Sequence, residues 1–493
     1  MNLAALIESH PGDSIALIDQ GNQITYDQLR HQVGQTRAGL TALGLERGDR
    51  VAIVAGTNTR FVVFYLAVLG AGFVAVPMNP LSPSPELASE IAAVTPRAMV
   101  VGPTGVPSVS GLSADVLASV DHILTPRASD IEGSISLASF EEVPPVVDVT
   151  QSDLALLKFT SGTAGSPKPA MLTHANLLAN LDQGFAHPSG QLTADDVSLC
   201  VVPLSHILGL NAILAPVLRA GATAVLVERF DPTTVFELAQ QHKITVMSGP
   251  PTLWSALAAT PFDGQPLATI RRAFSGAAAL NPMVRQSVYE LHGLNIIEGY
   301  GLTETSSVLA LGTEETPAGS VGRPLPGVRL RLVDAHGGDV YIGDEGEVWA
   351  SGPNIFGGYW GNEEATAKAL DSDGWLHTGD LAVVDDYGQL RLVDRVKDLI
   401  IVSGFNVFPA EVEDILVQHP EISEAGVVGI PHPHHGEAVR AYVVPVPNAN
   451  LEADDVIWFC EQHLASYKCP GSVIIIDQIP RTSTGKIMRR SLG

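Results

Sequence analysis

Four short runs, RVAIVA (50–55), AMVVG (98–102), ATAVLVE (222–228) and KITVMSG (243–249), limit what this chain can fold into more than any other feature. They are strand-like and apolar, and they alternate with helical patterns such as TYDQLRHQVGQTRAGLTALG (25–44) and TTVFELAQQH (233–242). Strand and helix in alternation is the pattern of a parallel sheet covered by helices. The first 310 residues or so therefore read as α/β. From about Gly319 the texture changes to short glycine-rich strands, GVRLRLVD, GDEGEVWASG and GQLRLVD, which predict a small β subdomain over 319–394. The last hundred residues regain a mixed α+β pattern, with PAEVEDILVQHP (409–420) as an amphipathic helix that begins at a proline. No internal repeat or long low-complexity segment interrupts this order.

A length of 493 residues implies two or three domains, and 45% apolar against 16% charged residues suits large cores. The formal charge of −25, without any run of lysine or arginine, argues against nucleic acid or anionic lipid as a partner. Cys200, Cys460 and Cys469 are too scattered for a disulfide framework, which points to a reducing cytoplasm. The amino terminus has no basic leader, so no secretory signal is expected. Residues 61–78, FVVFYLAVLGAGFVAVPM, are uncharged and long enough for a membrane span. Gly70 and Gly72 divide them, however, into a helix-like half and a β-branched half ending at Pro77, so a buried helix followed by a buried strand is expected, with no integral membrane segment.

The stretch LKFTSGTAGSPKPAMLTHAN (157–176) carries four hydroxyl side chains (Thr160, Ser161, Thr163, Ser166), Gly162, Gly165 and Lys168 in one loop. Glycines let backbone N–H groups turn toward an anion, hydroxyls add donors and lysine adds a full charge, a composition suited to oligophosphate. The same residue types also suit any surface loop. It is not a Walker loop, because Lys168 lies between two prolines rather than before Ser or Thr at the mouth of a helix.

Further motifs follow in order: PLSHILGLN (203–211), SGAAAL (275–280), EGYGLTET (298–305), GWLHTGDLA (374–382), DRVKDLI (394–400), SGFNVFPAEVE (403–413) and PRTSTGKIMRR (480–490). Together with the loop they resemble the adenylate-forming superfamily of acyl-CoA synthetases, firefly luciferase and peptide-synthetase adenylation domains, closest in pattern to fatty-acid or aryl-acid CoA ligases. The likeness spans almost the whole chain. It implies an α/β fold: a large N-terminal adenylation core of parallel-type sheets (1–394), a hinge (395–397) and a small mobile α+β C-terminal domain (398–493).

The resemblance also implies a reaction. A carboxylate attacks the α-phosphate of ATP to give an acyl-adenylate, and the thiol of CoA then displaces AMP. Because carboxylate and triphosphate repel each other, cationic and dipolar groups must stabilise the transition state. Thr160, Ser161, Gly162, Thr163, Gly165 and Lys168 would hold the leaving phosphates. Glu304 matches the Mg²⁺ ligand, with Thr160 as its hydroxyl partner. Tyr300 would stack on adenine, and Gly276, Ala277, Ala278, Glu298, Gly299, Gly301 and Thr303 would surround the nucleotide. Asp380 would accept the ribose hydroxyls with help from Arg395, and Lys486 would bridge substrate carboxylate and α-phosphate. Lys397 occupies the hinge position, about which the small domain turns to bring Gly404 beside the pantetheine arm. Lys468 is the candidate CoA phosphate contact.

For the acid, His206 resembles the gate of acyl- and aryl-CoA ligases, at a place where amino-acid-activating relatives usually carry aspartate. The pocket is expected near Pro250, Ser275, Gly301 and Leu302. No carrier domain is expected after Lys486, so CoA is the expected acceptor, with a separate acyl-carrier protein as the alternative and a luciferin-like oxygenation third. Ala164 stands where the loop pattern has a second threonine and Pro169 where it has glycine, which keeps a catalytically weak nucleotide-binding member open. PHPHHGE (431–437) reads as a variable turn rather than a zinc site.

Overall fold

The computed structural model describes residues 1–127, 130–137, 140, 143–160, 167–395, 398–402, 405–432, 436–447, 449, 451–482 and 485–492. Two large sheets dominate it. One has six strands in the spatial order His122–Leu124, Ala98–Val101, Arg50–Val54, Val74–Met78, Leu154–Phe159 and Pro169–Thr173, all parallel except the last pair. The other has nine strands, and six of them form a parallel block in the order Ile15–Asp19, Thr223–Leu226, Val197–Cys200, Val246–Gly249, Arg272–Ser275 and Ile296–Tyr300. Antiparallel strands close both of its ends.

Residue parity explains why these strands lack polar alternation. In Arg50–Val54, Val51 and Ile53 enter the largest core, shared by both sheets, while Ala52 and Val54 enter a separate core beneath the helix Ser84–Val94. In the nine-stranded sheet, Leu199, Val225, Met247, Ala273 and Ile296 face the helices Pro232–His242, Pro251–Ala259 and Pro282–His292. Both faces are covered along most of each strand, so apolar residues predominate and polar ones are confined to a few positions such as Ser198, Ser248 and Glu298. The run 61–78 resolves as the sequence suggested: helix Thr59–Gly70, then strand Val74–Met78. No helix among the described residues is long and apolar enough to cross a membrane.

The helix Tyr26–Ala42 begins with a reciprocal cap, in which Thr25 Oγ1 accepts the Gln28 N–H at 3.2 Å and Gln28 Oε1 accepts the Thr25 N–H at 3.0 Å. A four-stranded antiparallel sheet follows the large block: Arg329–Val333, Gly346–Ser351, Leu376–Val384 and Leu390–Arg395. Beyond it a separate core gathers Val412, Leu416, Val427, Val439, Ala441 and Val456. It is built from the helices Pro409–Leu416 and Ala453–Glu461 and the long hairpin Ile422–His432 with Gly436–Pro445, to which Ser472–Ile475 adds a parallel strand.

Candidate active site

The C-terminal ends of the parallel strands meet at one cavity of about 920 Å³. Its mouth is polar. The strands Leu154–Phe159 and Pro169–Thr173 pair antiparallel, and just beyond their paired ends the Thr160 N–H donates to the Lys168 carbonyl at 3.2 Å. Pro169 opens its strand, a place where a missing N–H costs no ladder bond, and its carbonyl accepts the Trp360 N–H at 2.8 Å. Thr160 and Lys168 both line the cavity. Lys168 Nζ lies 5.8 Å from the Tyr359 ring, and the Tyr359 hydroxyl donates to Glu304 Oε1 at 2.6 Å. Burial and the neighbouring Glu304 carboxylate both push the Tyr359 phenol upward, so it stays a donor at any physiological pH.

Opposite this group, Tyr300 ends its strand and donates its hydroxyl to Asp380 Oδ2 at 2.6 Å. Asp380 is cross-strand from Arg395 in the antiparallel sheet. Gly301 follows Tyr300 where only glycine fits: a Cβ there would lie 1.6 Å from the Ser307 carbonyl oxygen. Ala277 (φ 72°) and Ser307 (φ 119°), both in the cavity wall, take backbone conformations that side chains rarely adopt, and such strain gathers at functional sites. Lys486 enters from the C-terminal region and lines the same cavity. Its loop turns at Gly485 (φ 81°), which packs so closely on the helix Pro251–Ala259 that a Cβ would lie 2.7 Å from Thr252 Oγ1.

From the mouth an apolar branch runs between the helix His174–Ala186, the segment Leu208–Ala220 and the nine-stranded sheet. Leu208–Leu214 is a π-helical stretch, a rare form that recurs at functional sites, and it sends Leu208, Asn211 and Ala212 into the wall. His206 stands in the same wall. Its Nδ1 accepts the Leu208 N–H at 3.2 Å, so the neutral ring carries its proton on Nε2. Burial, aided by the nearby Lys158 ammonium, holds the imidazole down to about 3. His206 is therefore a polar group without charge.

Residues 3–360 match the AMP-binding enzyme family, and residues 411–486 match the AMP-binding enzyme C-terminal domain. The chain belongs to the AMP-binding enzyme family. It is 36% identical to a feruloyl-CoA synthase from an Amycolatopsis species over 473 residues, which span 95% of this chain and 93% of that relative. It is 33% identical to the long-chain-fatty-acid–CoA ligase of Salmonella typhimurium over 524 residues, 97% of this chain and 91% of the other. Among solved structures, ATP-bound MatB from Rhodopseudomonas palustris is similar with a TM-score of 0.91 at 32% identity, covering 100% of this chain and 98% of that one.

In this AMP-binding enzyme the cavity gathers Thr160, Lys168, His206, Ser275, Gly276, Ala277, Gly299, Tyr300, Gly301, Leu302, Thr303, Glu304 and Lys486 from the positions singled out in the sequence, with Asp380 bonded to Tyr300 beside them. Several other positions lie elsewhere. Glu298 is opposite Ser275 in register, and both side chains project to the face covered by the helix Pro282–His292. Glu298 there pairs with Arg285 at 3.4 Å and accepts the Gly319 N–H at 3.1 Å, and these partners hold its carboxylate on that face. Ser275 contributes to the wall without directing its hydroxyl into it. Pro250 caps the helix Pro251–Ala259 and Ala278 follows the turn at Ala277; neither is in the wall, which takes Ser248 and Gly249 instead. Lys468 is held by both oxygens of Glu411 at 2.6 and 2.7 Å and does not line the cavity. Ser161, Gly162, Thr163, Ala164, Gly165, Ser166, Lys397, Gly404, His434 and His435 lie outside the described residues, as does the Arg395 side chain.

Tyr359, Glu347, Ser198, Ser248 and Gly184 join the wall without any motif having pointed to them. Tyr359 follows two glycines in GGYW with no local signal of its role, because its partner Glu304 is 55 residues away.

Proposed function

We propose that the polar mouth holds ATP and the apolar branch holds a carboxylic acid, which the enzyme activates to an acyl-adenylate and passes to CoA. The protein is an AMP-forming acid–thiol ligase. In the first step a carboxylate oxygen bonds to the α-phosphorus and the bond to the bridging oxygen breaks, so pyrophosphate leaves. In the second a thiol sulfur bonds to the acyl carbon, and AMP departs with the electron pair. The single observation that carries this reading is the entry of Lys486 into a cavity already lined by Thr160, Lys168, Glu304 and Tyr300, from which the apolar branch opens.

Each group has a task its chemistry suits. Lys168 and Thr160 hold the leaving phosphates, and Lys486 neutralises charge between carboxylate and α-phosphate as the two approach. Asp380 takes the ribose hydroxyls, and Tyr300, anchored on it, presents its ring to the base. Glu304 and Thr160 would hold Mg²⁺ through hard oxygens, the ligand type this ion prefers. When bound, Mg²⁺ would supply charge neutralisation on the phosphates. Neutral His206 gates the branch without placing a charge against an apolar acid. The division at 395–397, with Lys397 as pivot and Gly404 beside the arriving thiol, completes the proposal. The unpaired cysteines suit a reducing cytoplasm.

Pyrophosphate release with ATP, Mg²⁺ and a panel of aryl and fatty acids, followed by product mass spectrometry with and without CoA, tests this directly. Acyl-CoA with at least one acid is expected. Acyl-AMP that transfers only to a carrier protein would replace the acceptor, and no pyrophosphate with any acid would remove the reading. Lys397→Pro is expected to slow thioester formation more than adenylation, because a fixed φ obstructs rotation.

A further inference from the structure

Two hydroxyls stand in the apolar branch. Ser198 on Val197–Cys200 pairs in register with Val246 on Val246–Gly249, and Ser248 pairs with Phe274 on Arg272–Ser275. Side chains alternate along a strand, so Ser198, Val246, Ser248 and Phe274 share one face, and all four line the cavity. The serines are 2% and 9% exposed, and neither hydroxyl bonds any described residue. Of the other polar groups nearby, Asn180 clasps both the N–H and the carbonyl of Val308, Ser189 Oγ donates to the Gly312 carbonyl, and Asn211 Nδ2 donates to the Ser306 carbonyl while its Oδ1 is buried without a partner among the described residues. A buried hydroxyl without a partner is unfavourable, and two on one patch of sheet call for a common one.

Their depth is set by the strands. Ser248 lies one residue before the strand end at Gly249, while Ser198, level with Val246, is two residues further down, about 7 Å deeper at the rise of a strand. The facing helices contribute Leu181, Phe185, Ala212, Ile213 and Pro216, and no described residue lining this part is charged.

We propose that Ser198 and Ser248 form a subsite for a neutral oxygen function, a hydroxyl or a carbonyl, on the body of the acid. The preferred substrate is then an apolar acid oxygenated away from its carboxylate. This rests on the branch being the acyl pocket. A serine hydroxyl both donates and accepts, so either oxygen function is served. A second carboxylate or an ammonium is not, because the branch offers no opposite charge.

The test pairs cinnamate with para-hydroxycinnamate, and octanoate with its terminal hydroxy and terminal carboxy derivatives. It reads kcat/KM for pyrophosphate release, and acid binding by titration calorimetry without ATP. In at least one pair the hydroxy acid is expected to lead by roughly ten-fold, with the dicarboxylate last. The double variant Ser198→Ala Ser248→Ala should bring that ratio to within about two-fold, while Ser198→Thr Ser248→Thr, which keeps both hydroxyls, should preserve a preference. Because a ratio is read, a general loss of activity does not imitate the result. Equal use of hydroxy and hydrocarbon acids by the unaltered enzyme, or a ratio unmoved in the alanine variant, overturns the subsite. If no acid releases pyrophosphate, the ligase reading fails on its own, and the calorimetric ratio still decides whether the hydroxyl is recognised.

Discussion

Thr160, Tyr300, Glu304 and Lys486 reach the cavity from loops and strand ends, whereas Ser198, Val246, Ser248 and Phe274 reach it from the face of a sheet. At the first end, a few ionic or polar groups stand on a backbone shaped by glycine and by positive φ at Ala277 and Ser307. At the second, the wall is sheet and helix, with the π-helical stretch Leu208–Leu214 in it, and its character comes from which side chains share a face. The difference teaches where each kind of change should act. Substitutions at the mouth should alter the rate for every acid, and substitutions in the branch should alter the ranking of acids.

The largest effect tests the mouth. Lys486→Ala is expected to lower acyl-adenylate formation about 100-fold to 1,000-fold, the loss that follows from the proposed role of its charge between carboxylate and α-phosphate. Thioester formation from supplied acyl-AMP should fall only a few-fold, and equal loss of both half-reactions would contradict the role given to this lysine. Next is Tyr359→Phe, which deletes the hydrogen bond to Glu304. A bond to a charged group is worth roughly 1.5–3 kcal/mol, so kcat/KM for ATP should fall about ten-fold or more, equally for all acids. An effect confined to some acids would erase the distinction between the two ends.

Gly184 sharpens the comparison from the other side. It lies near the end of the helix His174–Ala186, lines the branch and has open space where a Cβ would be. Gly184→Leu should raise KM for bulky acids by roughly ten-fold and spare small ones, measured with the same ATP dependence. Gly184→Ala should narrow the branch less and stabilise the helix by up to about 1 kcal/mol, read as a higher unfolding midpoint.

The smallest expected effect belongs to neither end. His174 is buried, its Nδ1 accepts the Leu3 N–H at 3.2 Å, and burial lowers it to about 4. In the unfolded chain the imidazole binds a proton near pH 6.5, while in the folded protein it resists until about 4. Between those values the unfolded state holds more protons, so stability is full above about 6.5 and declines as pH falls toward 4. His174→Asn, which can still accept the Leu3 N–H but does not titrate, should flatten this decline by a few degrees in melting temperature without moving kcat/KM for either end. An unchanged slope would place the acid sensitivity elsewhere.

Legibility followed the same division. The helix Thr59–Gly70, the strand Val74–Met78 and the proline-led helix Pro409–Leu416 were visible as local patterns, because period and punctuation are properties of neighbouring residues. So were Thr160, Lys168, Tyr300, Glu304 and Lys486, each inside a short motif. Glu298 shares its motif with Tyr300, but its carboxylate is held on the face covered by the helix Pro282–His292 by Arg285 and the Gly319 N–H, partners that no motif names. The pairing of Lys468 with Glu411, 57 residues earlier, had no local signal either. Tyr359 and the serine pair carried no signal at all.

What the sequence by itself determined, then, was the alternation of buried strands and helices and the set of polar groups that a reaction between a carboxylate and a triphosphate requires. Only the tertiary structure decided which of those groups share a cavity, which faces of the strands line it and how an apolar branch acquires two unpartnered hydroxyls. The physical reason is range: propensity, turn chemistry and motif spacing act over a few residues, whereas strand register and side-chain packing join residues far apart in the chain, and no window of sequence contains both partners.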